Sequence, residues 1–265
     1  MEELTEIARV CEQAARRGGA ALLDWSQRFT IREKGPADLV TEADLAAEEI
    51  VRQTIADSFP DHQFVGEETT PSAAVEGVLR EATECVWVVD PLDGTTNYAH
   101  RVPHYACSVA VVRAGEVLAG TVYHPTAEEC YVAVRQGGAF LNGEPLAVSR
   151  TQSLDAALVA ASFPPRIDRS GTEVQKLLGV IERAQAIRRT GSAALNMCYV
   201  ASGRLDAYWA TGTSAWDIAA GLLLVREAGG TVTDLSGGPF SLSQPQPLAS
   251  GTAELNRELA AILGS

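Results

Sequence analysis

Apolar positions recur with a helical period over residues 3–28, through Leu4, Ile7, Ala8, Cys11, Ala15, Leu22 and Leu23. The pattern predicts an opening helix that is either weakened at Gly18-Gly19 or packed very closely against another helix there. Phe29-Thr30-Ile31-Arg32 reads as a short strand and Lys34-Gly35-Pro36 as a mobile turn. A second helix follows Asp38-Leu39-Val40-Thr41, running through Ile50, Val51 and Ile55 to Phe59-Pro60. Residues 62–65 read as a strand ended by Gly66-Glu67-Glu68, and Cys85-Val86-Trp87-Val88-Val89 as a buried one. Residues 105–113 and 115–123 alternate as an antiparallel hairpin, and 130–134 with the Asn142-Gly143 turn carry the sheet to about Val148. Beyond Ser149 the period switches between strand and helix. Strands are predicted at 158–161, 186–189, 205–209 and 231–235, and helices at 172–184, 192–201, 218–228 and 255–263. The last Ala228 is followed by a Gly229-Gly230 stop. The expected fold is α/β, with an α+β half over 1–148 and an α/β half over 149–265, tightly fused through one large interface. No linker, repeat or low-complexity segment separates them.

Composition narrows the function. Asp and Glu number 34 against 21 Lys and Arg, a net charge of −13 in 265 residues. Such a surface matches neither nucleic acid nor anionic lipid, both of which call for basic clusters. The five cysteines are scattered and contain no C-x-x-C, so buried free thiols are expected and a structural zinc is not. The Met1-Glu2-Glu3 start carries no basic or apolar leader and no run approaches a membrane span. A cytoplasmic location is the expectation.

The chemistry concentrates in Asp90-Pro91-Leu92-Asp93-Gly94-Thr95-Thr96-Asn97, directly after the buried strand. Asp90 and Asp93 offer the hard oxygen ligands Mg2+ prefers, and Gly94-Thr95-Thr96 can open a helix whose free N–H groups hold an anion. An Asx-type turn capping that helix is the plainer alternative. Three other acidic positions also have structural readings. Thr41-x-x-Asp44 is a capping-box pattern with Asp for Glu, and Glu67-Glu68 is a solvated turn. Asp217, beside Trp216, is an N-cap of the 218–228 helix.

In combination and in this order, Gly66-Glu67-Glu68, Asp90-Pro91-Leu92-Asp93-Gly94-Thr95 and Trp216-Asp217-Ile218-Ala219-Ala220-Gly221 resemble the inositol monophosphatase family. Asp38-Leu39-Val40-Thr41, Asn97-Tyr98-x-His100, Gly191-Ser192-Ala193-Ala194 and Glu227-Ala228-Gly229-Gly230 extend the resemblance over almost the whole chain. The family belongs to the lithium-sensitive, magnesium-dependent phosphatases. The resemblance implies a five-layered αβαβα sandwich, a homodimer, and two or three Mg2+ held by Glu67, Asp90, the Leu92 carbonyl, Asp93 and Asp217. It further implies that metal-activated water attacks the phosphorus of a small phosphorylated alcohol. Glu67 and Thr95 would handle that water with Asp44 behind Thr95. Gly94 and Thr95 would hold the phosphate, and Asp93, Ala193 and Asp217 would contact the alcohol. Lys34 falls in a turn that covers the third metal in the family; Gly35-Pro36 tightens that turn here, and a plain surface lysine is the alternative.

One position departs from the pattern. Inositol phosphate enzymes of the family commonly carry a Glu seven residues before the Trp-Asp aspartate, and this chain has Ala210 there. Thr211 and Thr213 are the nearby hydroxyls that could replace it. Inositol 1-phosphate or a similar small monoester is the expected substrate. Fructose 1,6-bisphosphate, histidinol phosphate and 3′-phosphonucleotides are the alternatives on the same scaffold. Arg188-Arg189 is the one basic pair near the site region. The Asp90-x-x-Asp93 spacing argues against the Asp-x-Asp loop of phospho-aspartyl phosphatases. Pro103 between His100 and His104 argues against a helical zinc pair. A non-catalytic metal- or phosphate-binding regulator is the remote alternative.

Overall fold

The computed structural model describes residues 2–35, 38–164 and 171–264. Helix α1 (Glu2–Trp25) runs through Gly18-Gly19 unbroken. Close approach is the reason for the glycines: a Cβ on Gly18 would stand 2.7 Å from Cys107 Sγ and 2.8 Å from Val51 Cγ2. Strands β1 (Ile31–Gly35) and β2 (Asp38–Thr41) form an antiparallel hairpin. The first strand therefore starts two residues later than the apolar pattern predicts and takes in Lys34 and Gly35 from the expected turn. Pro36 and the Lys34 side chain lie outside the described residues. Helix α2 (Glu42–Ala56) starts from a complete capping box. Thr41 Oγ1 accepts from the Ala43 N–H, and Asp44 Oδ2 accepts from the Thr41 N–H.

Next come β3 (Gln63–Gly66), α3 (Ser72–Glu81), β4 (Val86–Asp93) and the five-residue α4 (Thr95–Ala99). Strands β5 (Ala106–Arg113), β6 (Glu116–His124), β7 (Glu129–Val134), β8 (Gly138–Leu141) and β9 (Glu144–Pro145) complete a seven-stranded sheet in sequence order β3 to β9. Only β3–β4 is parallel. The expected hairpins close through Ala114-Gly115 and Asn142-Gly143, all four residues at positive φ, as two-residue turns matched to the strand twist require. The sheet stops at Pro145 rather than Val148. Helix α3 escaped the pattern because only Val75, Val78 and Leu79 mark it.

The second half supplies β10 (Leu158–Ser162), α5 (Thr172–Ile181), β11 (Ala186–Arg188), α6 (Ala193–Ala201), β12 (Ala207–Ala210) and α7 (Ala215–Glu227). Strands β13 (Thr231–Thr233) and β14 (Leu248–Ser250) and helix α8 (Ala253–Leu263) close it. The five-stranded sheet runs β11-β10-β12-β14-β13, with β10 parallel to its neighbours and β14 antiparallel to both of its own. Three-residue β14 sits behind Pro245-Gln246-Pro247 and left no sequence signal.

These elements stack as five layers, αβαβα. Helices α1 and α2 cover one face of the seven-stranded sheet through Ile7, Val10 and Val51 against Trp87, Val89 and Val109. Helices α6 and α7 fill the space between the sheets, where Val86 and Val88 of the same β4 meet Leu195, Ile218 and Leu222. Helices α5 and α8 pack outside the five-stranded sheet with Val180 and Leu259 against Val159 and Trp209. Burial of both faces explains why β4 reads as a continuous apolar run rather than an alternating one. The middle layer is tight: a Cβ on Gly120 of β6 would lie 2.8 Å from Ala220 Cα, and one on Gly221 2.4 Å from Met197 Cβ. All five cysteines are buried free thiols. Among the described residues no helix is long and apolar enough to cross a membrane.

Candidate active site

The end of β4 is where a buried strand turns polar. Asp90 pairs with Ser108 and Asp93 with Ala106, so β4 takes three steps where β5 takes two. The extra residue makes a bulge, and Pro91, with no N–H to donate, is suited to it. The Leu92 N–H donates to Asp90 Oδ1 at 3.0 Å. Gly94 then takes φ 101, and a Cβ there would stand 3.1 Å from the His104 carbonyl. That left-handed residue starts α4, whose first N–H groups have no helical acceptor.

Asp93 reaches across to α6. It accepts from the Ser192 hydroxyl, from the Ala193 N–H at 3.1 Å and from the Ala194 N–H at 2.8 Å. Asn97 staples the same junction, donating to the carbonyls of His104 (2.7 Å) and Thr190 (2.9 Å). Asp217 comes from α7. Its place differs from the expected N-cap: Ser214 is the cap, and Asp217 closes a capping box by accepting the Ser214 N–H at 2.7 Å. Ser108 on β5 donates to the Trp216 carbonyl at 3.3 Å, tying this helix start to the sheet.

Asp90, Asp93 and Asp217 each present one oxygen within 4.8 Å of the others. Burial drives all three carboxyls up. Asp90 rises well above the ordinary carboxylate range, first through desolvation and then through the charges of Glu67, Asp93 and Asp217. Desolvation pushes Asp217 to about 7, with Asp93 adding to it and the Ser214 N–H and Asp90 opposing. Asp93 reaches about 6, because its hydrogen bonds from Ser192 and the α6 N–H groups only partly offset burial. Asp90 shares hydrogen bonds with both Glu67 and Asp217. Without a cation, carboxyls this close and this buried favour holding a proton among them. An all-oxygen donor set with three carboxylate oxygens within 4.8 Å of one another fits a hard divalent ion, which would offset their charge.

The remaining expected residues surround this group. Thr95 Oγ1 donates to the Leu92 carbonyl at 3.1 Å and stands 3.5 Å from Asp44 Oδ1. Asp44 thus serves its capping box and faces the candidate water-positioning hydroxyl as well. Glu67 follows β3, its N–H donating to the Val89 carbonyl at 3.2 Å. Asp93, Ala193 and Asp217 line one cleft together with Ser162, Phe163 and Arg189. Ala210 is fully buried in β12. Of its two possible substitutes, Thr213 donates its hydroxyl to the Pro245 carbonyl, and the buried Thr211 hydroxyl has no hydrogen-bond partner among the described residues.

Glu48 was not legible as part of the site. Its i,i+4 spacing to Arg52 looks like a surface ion pair, yet its side chain is buried at 2% exposure. Its Oε2 accepts the Glu68 N–H at 2.9 Å, and Gly66 leaves room for it, since a Cβ there would lie 2.4 Å from that oxygen. Glu48 therefore holds the turn that carries Glu67. Glu48→Ala is expected to cost about 1–3 kcal/mol in urea unfolding, the range for stranding a buried donor, and to raise the metal concentration needed for half-maximal activity.

Carboxylates gathered at the end of a buried strand, beside a helix start, are the arrangement expected of a metal-dependent phosphatase of the layered αβαβα class. The comparisons agree. The model of the inositol monophosphatase family matches residues 2–265. The inositol-1-monophosphatase of Mesorhizobium japonicum is 41% identical over 258 residues, covering 96% of this chain and 94% of that protein. The Nus factor SuhB of Pseudomonas aeruginosa is 39% identical over 252 residues, covering 93% and 92%. The structure of inositol monophosphatase from Anabaena superposes with a TM-score of 0.86 at 31% identity, covering 99% of this chain and 96% of that one. The chain belongs to the inositol monophosphatase family and is a phosphoric monoester hydrolase.

Proposed function

We propose that the protein hydrolyses inositol 1-phosphate or a similarly small phosphate monoester, with Mg2+ as its metal. The observation that carries this reading is the meeting of Asp90, Asp93 and Asp217, from a strand and a helix distant in sequence, within 4.8 Å. Glu67, Asp90, the Leu92 carbonyl, Asp93 and Asp217 would hold the metal. When bound, it supplies positive charge to the phosphate and acidifies water for attack on phosphorus. The chain's residues do the rest. Glu67 takes up the proton of the attacking water, and Thr95 orients it, with Leu92 and Asp44 fixing the hydroxyl. The N–H groups of Gly94 and Thr95 receive the phosphate oxygens as charge builds on them. The alcohol rests against Asp93, Ala193 and Asp217. A homodimer is part of the same reading.

The test is a panel of esters: inositol 1-phosphate, histidinol phosphate, fructose 1,6-bisphosphate, glycerol 2-phosphate and 3′-phosphoadenosine 5′-phosphate, each with and without lithium. The reading expects lithium-sensitive release from at least one small ester. A second reading, a binding protein without catalysis, draws on the relative named as a Nus factor. It expects a folded, metal-binding protein that releases phosphate from none of them.

A further inference from the structure

The polarity of the cleft's far wall bears on the substrate. Apart from Asp93 and Asp217, the cleft of about 530 Å3 is lined by neutral residues, Thr96, Asn97, Ser162 and Phe163 among them, and by Arg189, its only cationic side chain among the described residues. Its Nη2 donates to the Phe163 carbonyl at 3.3 Å, and the guanidinium stands 5.7 Å from the centre of the Phe163 ring. The other contacts leave most of its five N–H donors available. Three arginines of this half pair with carboxylates, Arg183 with Glu258, Arg204 with Glu129 and Arg257 with Glu254, whereas Arg188, which does not line the cleft, bonds only the Ile187 carbonyl among the described residues. Arg189 pairs with no described carboxylate, in a chain whose net charge is −13.

A neutral polyol is gripped through acceptors for its hydroxyls, and beyond Asp93 and Asp217 the further position expected to supply a carboxylate is the buried Ala210. Arg189 offers the reverse, a planar fork of donors that matches carboxylate or phosphate two bonds at a time. We propose that Arg189, braced on Phe163, binds a second anionic group on the alcohol part of the substrate, a phosphate or a carboxylate. The proposal rests on the phosphatase reading above. It shifts the preferred ester from a neutral alcohol to an acidic one. The cation also offsets the repulsion that a second negative group would meet beside Asp93 and Asp217.

The experiment compares kcat/KM for fructose 1,6-bisphosphate, 2-phosphoglycerate and glycerol 2-phosphate in wild type, Arg189→Ala, Arg189→Lys and Arg189→Glu. Melting curves of each variant confirm folding. The first two esters separate a second phosphate from a carboxylate, and glycerol 2-phosphate carries neither. The preferred acidic ester is expected to lose about tenfold relative to glycerol 2-phosphate in Arg189→Ala, mainly through KM. The loss should be larger in Arg189→Glu and partly restored in Arg189→Lys. Ratios that do not move, or a wild type that prefers glycerol 2-phosphate to both acidic esters, overturn the subsite while the phosphatase reading stands. A folded wild type that releases phosphate from none of the three overturns both.

Discussion

Asp90→Asn is expected to lower phosphate release by at least about a thousandfold, some 4 kcal/mol of transition-state stabilisation, while the protein still folds. Asp90 is the buried centre of the acidic group, sharing hydrogen bonds with Glu67 and Asp217 and lying within 4.8 Å of Asp93 and Asp217 at their nearest oxygens. An amide keeps the shape and can still accept the Leu92 N–H through its oxygen, as Asp90 Oδ1 does at 3.0 Å. It removes the charge on which a divalent ion depends. The metal-free fold has little to lose, because burial already holds Asp90 toward its protonated form. Melting and activity measured together check the result. A variant within tenfold of wild-type turnover contradicts the assignment of Asp90.

The second large effect is on stability. In the metal-free protein Asp93 and Asp217 titrate at about 6 and 7 instead of near the ordinary 3.8, and Asp90 is raised further in the same direction. A carboxyl whose folded pKa is raised binds its proton more tightly in the folded state. The contribution is therefore fully present below about pH 4 and lost as pH rises through 6 to 7. Metal-free protein should be less stable at pH 8 than at pH 5, by a few kcal/mol at about 1.4 kcal/mol per shifted unit, and melt at a correspondingly lower temperature. His104, lowered to about 4 by burial and His124, works in the opposite sense. The clean readout is thus the difference between wild type and Asp90→Asn across pH, which should grow from pH 5 to 8 and shrink when Mg2+ is added to wild type. A pH-independent difference would mean that the three carboxyls do not share one buried charge problem.

How much of this could be read from the residues depends on distance along the chain. Local signals reappear in three dimensions as the Thr41–Asp44 capping box and the hairpin turns at Ala114-Gly115 and Asn142-Gly143, and the αβαβα sandwich that the family resemblance implies is present as well. Asp90 and Asp93 were legible because a buried strand has no structural use for two carboxylates. Asp217 was legible only through its company, since a capping role accounts for it alone, and the true N-cap is Ser214. Glu48 and the Asp93 bonds to Ser192 and α6 were hidden, because they join segments about 20 and 100 residues apart. Arg189 was visible as one of a basic pair, but only the fold separates it from Arg188 and turns it into the cleft. Short β14 and α3 had too few apolar positions to register against the loops around them.

The most direct measurement is phosphate release from inositol 1-phosphate, glycerol 2-phosphate and fructose 1,6-bisphosphate as Mg2+ is titrated into chelator-stripped protein. A metal-dependent phosphomonoesterase should be silent without the ion, gain activity with saturation, and lose it again to chelator or to millimolar lithium. Release that persists at full rate in excess chelator, or none at any Mg2+ concentration from a protein shown to be folded, would contradict the account.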